Sequence, residues 1–239
     1  MRYIYGPVGS RRLGLSLGLS LTPHKICTFN CVYCQLGRTR ETARERKEYV
    51  SVRDILDELK LWLGQHSEES KALRFITLCG AGEPTLNLRI DALIAGIKEI
   101  TATPIAVITN ASLLPDAAVR AALMRADLII PSLNAVTAKA FQKINRPRPD
   151  IKIEEIIEGL VALKKEFPGK IWLEVMLVAG VNDDLRQIKK MKEAIERINP
   201  DKVQLNSPVR TTAEPDAFSV DKKKLEKIKE ILGGKAEII

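Results

Sequence analysis

The chain has 239 residues and lacks several features that would assign it to particular protein classes. It has no apolar run of the roughly 20 residues that a membrane-spanning helix needs. Its first residues, MRYIYGPVGSRRLG, lack the apolar stretch of a signal peptide. We therefore expect a cytoplasmic protein that does not contact a membrane. The length is sufficient for one large α/β domain with a well-buried core.

Cysteine is scarce, with four residues, but three of them lie close together. A reducing cytoplasm disfavours disulfides, so this group indicates metal binding or redox chemistry. Cys27, Cys31 and Cys34 form a C-x3-C-x2-C pattern on one short segment. Three thiolates can bind three irons of a cubane cluster, which leaves the fourth iron open to a small molecule. The fourth cysteine, Cys79, lies in an apolar run, where free cysteine commonly packs as a small hydrophobe.

Histidine is scarcer still, and this bears on zinc as an alternative metal. A Cys3His site would need either His24, three residues before Cys27, or His66. Zinc-binding cysteines usually occur as C-x2-C, with a second pair far along the chain, which disfavours zinc here. A non-catalytic iron–sulfur or zinc protein nevertheless stays open as an alternative on this pattern alone.

The net charge of +8 is concentrated near the cysteines. Residues 1–50 contain nine Lys and Arg against three Glu, which accounts for +6 of that total. A basic surface can attract a nucleic acid or an acidic protein. The alternative is an ordinary solvated surface rich in lysine and arginine.

Short β-like runs alternate with amphipathic helices along the whole chain, a pattern that predicts βα units around a parallel sheet. We expect six such units in one domain spanning residues 1–239, arranged as a barrel or an open sheet. The predicted strands are 15–21, 74–79, 105–109, 127–131, 171–178 and 202–206. The predicted helices are 52–63, 90–100, one starting near 115, 137–144, 184–198 and 220–232.

In parallel α/β folds the chemistry lies at the carboxyl ends of the strands. Unusual polar residues follow every predicted strand, beginning with the cysteines after the first. Those after strands two to six are Gly80-Ala81-Gly82-Glu83, Asn110, Ser132 with Asn134, Asn182 with Asp183, and Ser207 with Arg210.

Two segments resemble motifs of the radical S-adenosylmethionine superfamily. They are the cysteine loop, in which Tyr33 comes just before Cys34, and the segment Gly80-Ala81-Gly82-Glu83. The resemblance covers most of the chain and implies a partial (β/α)6 barrel. It also implies that the three cysteines ligate one 4Fe–4S cluster whose open iron is chelated by S-adenosylmethionine. Reductive cleavage of that cofactor would give a 5′-deoxyadenosyl radical that abstracts a hydrogen atom, in an enzyme of oxidoreductase or lyase type.

The resemblance also implies roles for individual residues. Backbone groups of Gly80, Ala81 and Gly82, with Glu83 nearby, would hold the methionine amino group, and glycine permits a close approach to a ligand. Tyr33 would place backbone groups near the adenine, with simple packing beside the cluster as the alternative.

Four further residues are candidates for holding the cofactor. Asn110, Ser132 and Asn134 could bond the ribose or the carboxylate, although helix capping would explain them equally well. Glu174 lies in an apolar strand, where a carboxylate is costly unless paired. We expect it either to face the barrel interior or to form an ion pair with an arginine.

Within the superfamily, residues 6–39 together with the segments GAGEPTL and LVAGVND most resemble the branch related to wyosine-base tRNA synthases. Those enzymes rebuild a methylated guanine in tRNA. The archaeal members carry an amino-terminal segment with further cysteines, whereas no cysteine precedes Cys27 here, so we expect a single cluster. Glycyl-radical-enzyme activases and peptide-modifying radical enzymes are the alternative.

The expected partners follow from this chemistry. The sequence ends soon after the sixth predicted strand, from which we expect an open barrel mouth and a large substrate, tRNA or a protein. Arg146 and Arg210 follow strands and could bind a carboxylate or a phosphate. We expect a monomer that receives electrons from a donor such as flavodoxin or ferredoxin.

Overall fold

The computed structural model describes residues 1–239 and contains one eight-stranded sheet whose strands follow one another in sequence order. The strands are β1 (Ile4–Ser10), β2 (Gly14–Ser20), β3 (Phe75–Cys79), β4 (Ile105–Thr109), β5 (Leu128–Pro131), β6 (Lys170–Met176), β7 (Lys202–Asn206) and β8 (Ala236–Ile238). The helices are α1 (Val52–Gln65), α2 (Ser67–Lys71), α3 (Ile90–Ile100), α4 (Ala117–Ala122), α5 (Ala138–Ile144), α6 (Ile153–Glu166), α7 (Leu185–Ile198) and α8 (Lys222–Leu232).

Strands β2 to β8 are parallel, and β1 is antiparallel to β2. β1 and β8 are the two edges, so the sheet does not close. Arg12, in the turn between β1 and β2, contacts Glu174 of β6 across the sheet. This contact requires a curved sheet, so the fold is an incomplete barrel, as predicted.

The sheet has two chemically different faces, which we call the helix-facing side and the inner face. In β3, Ile76 and Leu78 belong to the main hydrophobic core, while Thr77 and Cys79 alternate with them and point to the inner face. A small apolar cluster fills part of the inner face. Its members are Leu13, Ala106, Leu128 and Ile130.

The helices start where side chains can cap them. Ser51 accepts a hydrogen bond from the main-chain N–H of Asp54 at the start of α1, as its N-cap position predicts. Thr137, Asp184 and Asp221 cap α5, α7 and α8 in the same way.

All six predicted strands are present, and β4 and β7 have the predicted bounds. The prediction omits β1, β8, α2 and α6. β1 contains two glycines and a proline and its register with β2 shifts between Tyr5 and Val8, so it lacks the alternation of a regular strand. No strand lies between α5 and α6, so a prediction of one helix after each strand does not include α6.

Candidate functional site

The cysteine loop, residues 21–50 between β2 and α1, has no helix or strand and is held by contacts from later parts of the chain. The N–H of Glu83 donates to Ile26 O at 3.0 Å, and the N–H of Val32 donates to Ile144 O at 3.0 Å. The Phe29 ring packs edge-on against Phe141 of α5, with ring centroids 5.3 Å apart. The loop therefore lies over the carboxyl end of the sheet.

Cys27, Cys31 and Cys34 are unpaired and half-buried in this loop. Burial, together with the charges of Cys31 and Glu83, raises the pKa of Cys27 to about 12. Burial likewise raises the pKa of Cys31 to about 11, although hydrogen bonds from Tyr33 and Asn145 oppose that shift. The free thiols of Cys27 and Cys31 are therefore protonated at neutral pH, and a metal must displace their protons on binding.

Two side-chain amides contact the thiols of Cys27 and Cys31. Asn110 Nδ2 lies 3.4 Å from Cys27 Sγ, and Asn145 Nδ2 lies 3.4 Å from Cys31 Sγ. Such hydrogen bonds stabilise thiolates and are one of the factors that set the potential of an iron–sulfur cluster. Asn110 was predicted from its position after a strand. Asn145, one residue beyond α5, was not, because nothing in the local sequence relates it to a loop more than a hundred residues earlier.

The donor set fits an iron–sulfur cluster. Three sulfur ligands lie on one loop, and each can bind a different iron of a cubane. No group of three His, Cys, Asp or Glu side chains in the structure lies close enough to share a single metal ion. His24, the nearest histidine in the sequence, lies on the exposed surface.

Gly80 and Gly82 bring the turn after β3 into direct contact with other main-chain segments. Gly80 has a φ of +112°, a conformation that favours glycine. A Cβ on Gly82 would lie 1.9 Å from Ile26 O, so no side chain fits there. Between them, Ala81 N–H donates to Ser20 Oγ at 3.3 Å. The predicted cofactor turn is thus packed against the cysteine loop.

Glu83 is buried, and both of its carboxylate oxygens are hydrogen-bonded within the protein. Oε1 accepts from Thr109 Oγ1 at 2.6 Å and from the N–H and hydroxyl of Thr85, and Oε2 accepts from Asn110 N–H at 2.7 Å. Burial raises its pKa, and these hydrogen bonds oppose the shift. Glu83 therefore fixes the turn after β3 to the end of β4, and its carboxylate has other partners than the ligand expected from the sequence.

Tyr33 and Asn134, two of the residues predicted to hold the cofactor, are in direct contact. Asn134 Nδ2 donates to the Tyr33 hydroxyl at 2.7 Å, and its Oδ1 accepts from Met176 N–H at 2.8 Å. Burial raises the pKa of Tyr33 well above its usual value. Asn134 therefore ties the segment between Cys31 and Cys34 to the end of β6.

Ser132 and Glu174 are adjacent, joined by an isolated parallel bridge. The main-chain N–H of Ser132 donates to Thr109 O at 2.9 Å. Glu174 is buried on the inner face, where it pairs with Arg12 at 2.5 Å and accepts from Asn206 Nδ2 at 3.0 Å. Both alternatives considered for Glu174, an inward position and an ion pair with arginine, hold together.

The segment 207–219 after β7 contacts the cysteine loop. Glu214, a buried carboxylate, pairs with Arg38 at 2.8 Å and with Arg146. Its N–H donates to Val32 O at 3.0 Å. Arg146 is therefore held by a protein carboxylate, and Arg210 remains exposed, with Gln35 Oε1 3.4 Å away.

A basic groove of about 870 Å³ lies beside the cysteine loop, and we call it the outer groove. Its wall touches the cluster loop directly, since Ala43 N–H donates to Cys27 O at 2.9 Å. Arg44 and Arg148 share Asp150, whereas Arg40 is exposed. The basic residues of the outer groove are Lys25, Arg38, Arg40, Arg44, Lys47 and Arg148, against Glu41 and Glu45.

The model of the radical SAM superfamily matches residues 21–192, which contain the cysteine loop, the glycine turn and the strand ends described above. The chain belongs to the radical SAM superfamily. Members of this superfamily use a 4Fe–4S cluster and S-adenosylmethionine, and Cys27, Cys31 and Cys34 are the residues here that fit the cluster. No helix has the length and apolar character needed to cross a membrane.

Two individual proteins show how similar the chain is to known sequences. The chain is 34% identical over 237 residues to a UPF0026 protein of Methanocaldococcus jannaschii, a match that covers 98% of this chain and 73% of that protein. It is 39% identical over 226 residues to a protein of Brachyspira hyodysenteriae named GTPase Obg. That match covers 95% of this chain but spans only 33% of the relative's length.

Among solved structures, the fold resembles a TYW1 structure with a lysine–pyruvate adduct bound. The TM-score is 0.66 at 18% identity, over 91% of this chain and 72% of that one. The expected likeness to radical SAM enzymes, wyosine synthases among them, is thus confirmed for the fold.

Proposed function

We propose that this protein is an enzyme that cleaves S-adenosylmethionine reductively and acts on a large substrate, with RNA as the class best matched by its surface. The observation that carries the proposal is the meeting of three elements at one end of the sheet. They are the three cysteines, the amides that lie on two of their thiols, and the glycine turn packed on Ile26. When bound, the cluster and S-adenosylmethionine supply a 5′-deoxyadenosyl radical that abstracts a hydrogen atom.

The chain's own residues position these groups. Cys27, Cys31 and Cys34 would ligate the cluster, and Asn110 and Asn145 hydrogen-bond the ligating sulfurs. The turn from Gly80 to Gly82 would present main-chain groups to the methionine end of S-adenosylmethionine. Glu83 and Asn134 keep those segments in place through hydrogen bonds to β4 and β6.

The outer groove supports RNA as the substrate class. Four of its six basic residues are arginines, whose planar guanidinium groups suit phosphate oxygens. Arg40 has no carboxylate partner, so it can bind a phosphate without first losing an ion pair. The groove also adjoins Cys27, which would bring a bound strand close to the reaction centre.

The first experiment tests the chemistry. The protein is reconstituted anaerobically with iron and sulfide, then given dithionite and S-adenosylmethionine, and 5′-deoxyadenosine is measured by chromatography. We expect 5′-deoxyadenosine and methionine in equal amounts. An intact cluster that yields no 5′-deoxyadenosine would favour a non-catalytic iron–sulfur protein, and zinc without iron in the purified protein would favour a structural metal site.

The second experiment tests the substrate class by measuring the affinity for bulk tRNA as a function of salt. Phosphate contacts predict a linear fall of log K with log salt, and Arg40→Gln should reduce the slope by about one. Lys60→Gln, on the exposed face of α1, is the matched control and should leave the slope unchanged. Absent or salt-insensitive binding would favour a protein substrate.

An acidic electron donor could use the same groove, and this outcome is separable. If Arg40→Gln slows 5′-deoxyadenosine formation with flavodoxin or ferredoxin but not with dithionite, and tRNA does not bind, the groove serves the donor rather than RNA.

A further inference from the structure

The turn between β1 and β2 places two arginines against the inner face, opposite the middle of β6. Arg12 Nη1 lies 2.5 Å from Glu174 Oε2, although the two residues are 162 positions apart. Arg11 Nη2 donates to Asn206 Oδ1 at 3.0 Å, and Asn206 in turn donates to Glu174. Arg11 Nη1 also donates to Ile239 O at 3.0 Å, so the two arginines link the turn to β6, to β7 and to the residue after β8.

The guanidinium of Arg12 is only partly used. Its contact with Glu174 involves one of three nitrogens, and no protein acceptor lies on Nε or Nη2. The Arg12 side chain is 24% exposed, whereas the Glu174 side chain is 8% exposed. Glu174 thus orients Arg12 through Nη1, which leaves Nε and Nη2 as an adjacent pair of donors without a protein acceptor.

The inner face carries buried polar atoms without partners, one of them next to Glu174. Gln204, which lies beside Glu174 in the register of β6 and β7, is 1% exposed, and its Oε1 has no hydrogen-bond partner. Thr77 Oγ1 on β3 is also buried and unpartnered. Buried polar groups without partners are rare in native proteins and usually meet a ligand or an ordered water.

The two sides of the interior are near one another. Glu174 forms an isolated parallel bridge with Ser132, the residue that follows β5. Asn206, which donates to Glu174 at 3.0 Å, is the last residue of β7. Glu174 therefore lies near the carboxyl ends of β5 and β7, and Arg12 reaches it from the turn between β1 and β2.

We propose that Arg12, oriented by Glu174, binds an anionic group of the substrate, a carboxylate or a phosphate, on the inner face of the barrel. A guanidinium with two adjacent free donors suits either anion, since both accept parallel hydrogen bonds. The unpartnered Gln204 Oε1 would accept a hydrogen bond from a neighbouring donor on the same molecule. The site rests on the proposed function, because the anion that it would hold belongs to the substrate of that enzyme.

The test is equilibrium anion binding to the cluster-loaded protein in the presence of S-adenosylmethionine. Acetate and inorganic phosphate are titrated separately by calorimetry, since a preference between them identifies a carboxylate or a phosphate as the source. Arg12→Gln with Glu174→Gln removes both charges together, so that no unpaired charge is left buried. A charge-assisted hydrogen bond predicts that this double variant weakens binding by about 10- to 100-fold.

Two further variants make the result specific. Arg12→Lys keeps the charge but loses the planar pair of donors and should weaken binding less than the double variant does. Arg197→Gln with Glu158→Gln neutralises an exposed arginine–glutamate pair elsewhere and should leave binding unchanged. Circular dichroism confirms that each variant is folded.

Three outcomes would overturn the proposal: no anion binding by the unaltered protein, equal binding by the Arg12/Glu174 variant, or loss of S-adenosylmethionine affinity in that variant without loss of anion binding. The last would assign the pair to the cofactor. Because no turnover is needed, a failure here is distinguishable from a failure to form 5′-deoxyadenosine.

Discussion

The two faces of the sheet differ although they are built from the same strands. On the helix-facing side, Ile76, Leu78, Val203 and Leu205 are all but fully buried in one continuous apolar core. On β3 and β7 the inner-face residues that alternate with them include three polar side chains and a thiol. They are Thr77, Cys79, Gln204 and Asn206. One face of these strands is therefore continuous apolar core, whereas the other also carries polar groups that a ligand could contact.

The largest expected effect comes from comparing a cysteine of the cysteine loop, Cys31, with the inner-face cysteine, Cys79. Cys31→Ala should reduce 5′-deoxyadenosine formation by at least about 100-fold, because the cluster loses a ligand. Cys79→Ala is the matched control, since it removes a thiol that contacts Tyr5, and should leave the iron content unchanged. Iron and sulfide analysis alongside the assay checks both. Equal iron loss in the two variants would contradict the assignment of the ligands.

The next effect compares two neighbouring residues of β3. Leu78→Ala removes a fully buried side chain from the core and should lower the free energy of unfolding by about 2–5 kcal/mol. Thr77→Val keeps the shape and removes a hydroxyl that has no partner, so its effect should stay within about 1 kcal/mol. Urea unfolding measures both. A large loss in Thr77→Val would mean that the inner face also carries the stability of the fold.

A smaller effect is expected at Glu83, which lies at the carboxyl end of the sheet and connects the turn after β3 to the end of β4. Glu83→Gln replaces one carboxylate oxygen by an N–H2 group that must face donors, which should cost about 1–3 kcal/mol of stability. Because Glu83 N–H holds Ile26, the cluster should also load less completely. Urea unfolding and the iron content per chain measure the two effects. If the destabilised variant still binds a full complement of iron, the hydrogen bonds of Glu83 are not needed to hold the cysteine loop in place.

The smallest effect is expected at Tyr33. Tyr33→Phe removes the hydroxyl that accepts from Asn134 and should cost about 1 kcal/mol, while the ring still packs beside the cysteines. Asn134→Ala should cost more, because the main-chain N–H of Met176 also loses its acceptor. The order of the two urea midpoints tests this, and a reversed order would mean that the hydroxyl has a role beyond holding the loop.

The sequence predicted the helix-facing side well and the inner face poorly, for a physical reason. Apolar periodicity reports burial against helices, and it placed α3, β4 and β7 at their observed bounds. Polar residues on the inner face have no such period, and their partners are remote. Arg12 reaches Glu174 because the sheet curves, and Asn145 reaches Cys31 because the cysteine loop is hydrogen-bonded to the end of α5. Asn110 and Asn134 could be predicted because each follows an apolar strand that is itself recognisable in the sequence.

The residues that hold the cysteine loop in place also determine when the metal site can form during protein synthesis. Cys27, Cys31 and Cys34 are synthesised early, whereas the residues that hold the loop come much later, since Asn110, Asn145 and Glu214 follow at increasing distance. A nascent chain therefore exposes its metal ligands long before their frame exists. The cluster can enter the finished geometry only after β7 and the segment carrying Glu214 have been made, so the metal centre is completed later than its ligands are.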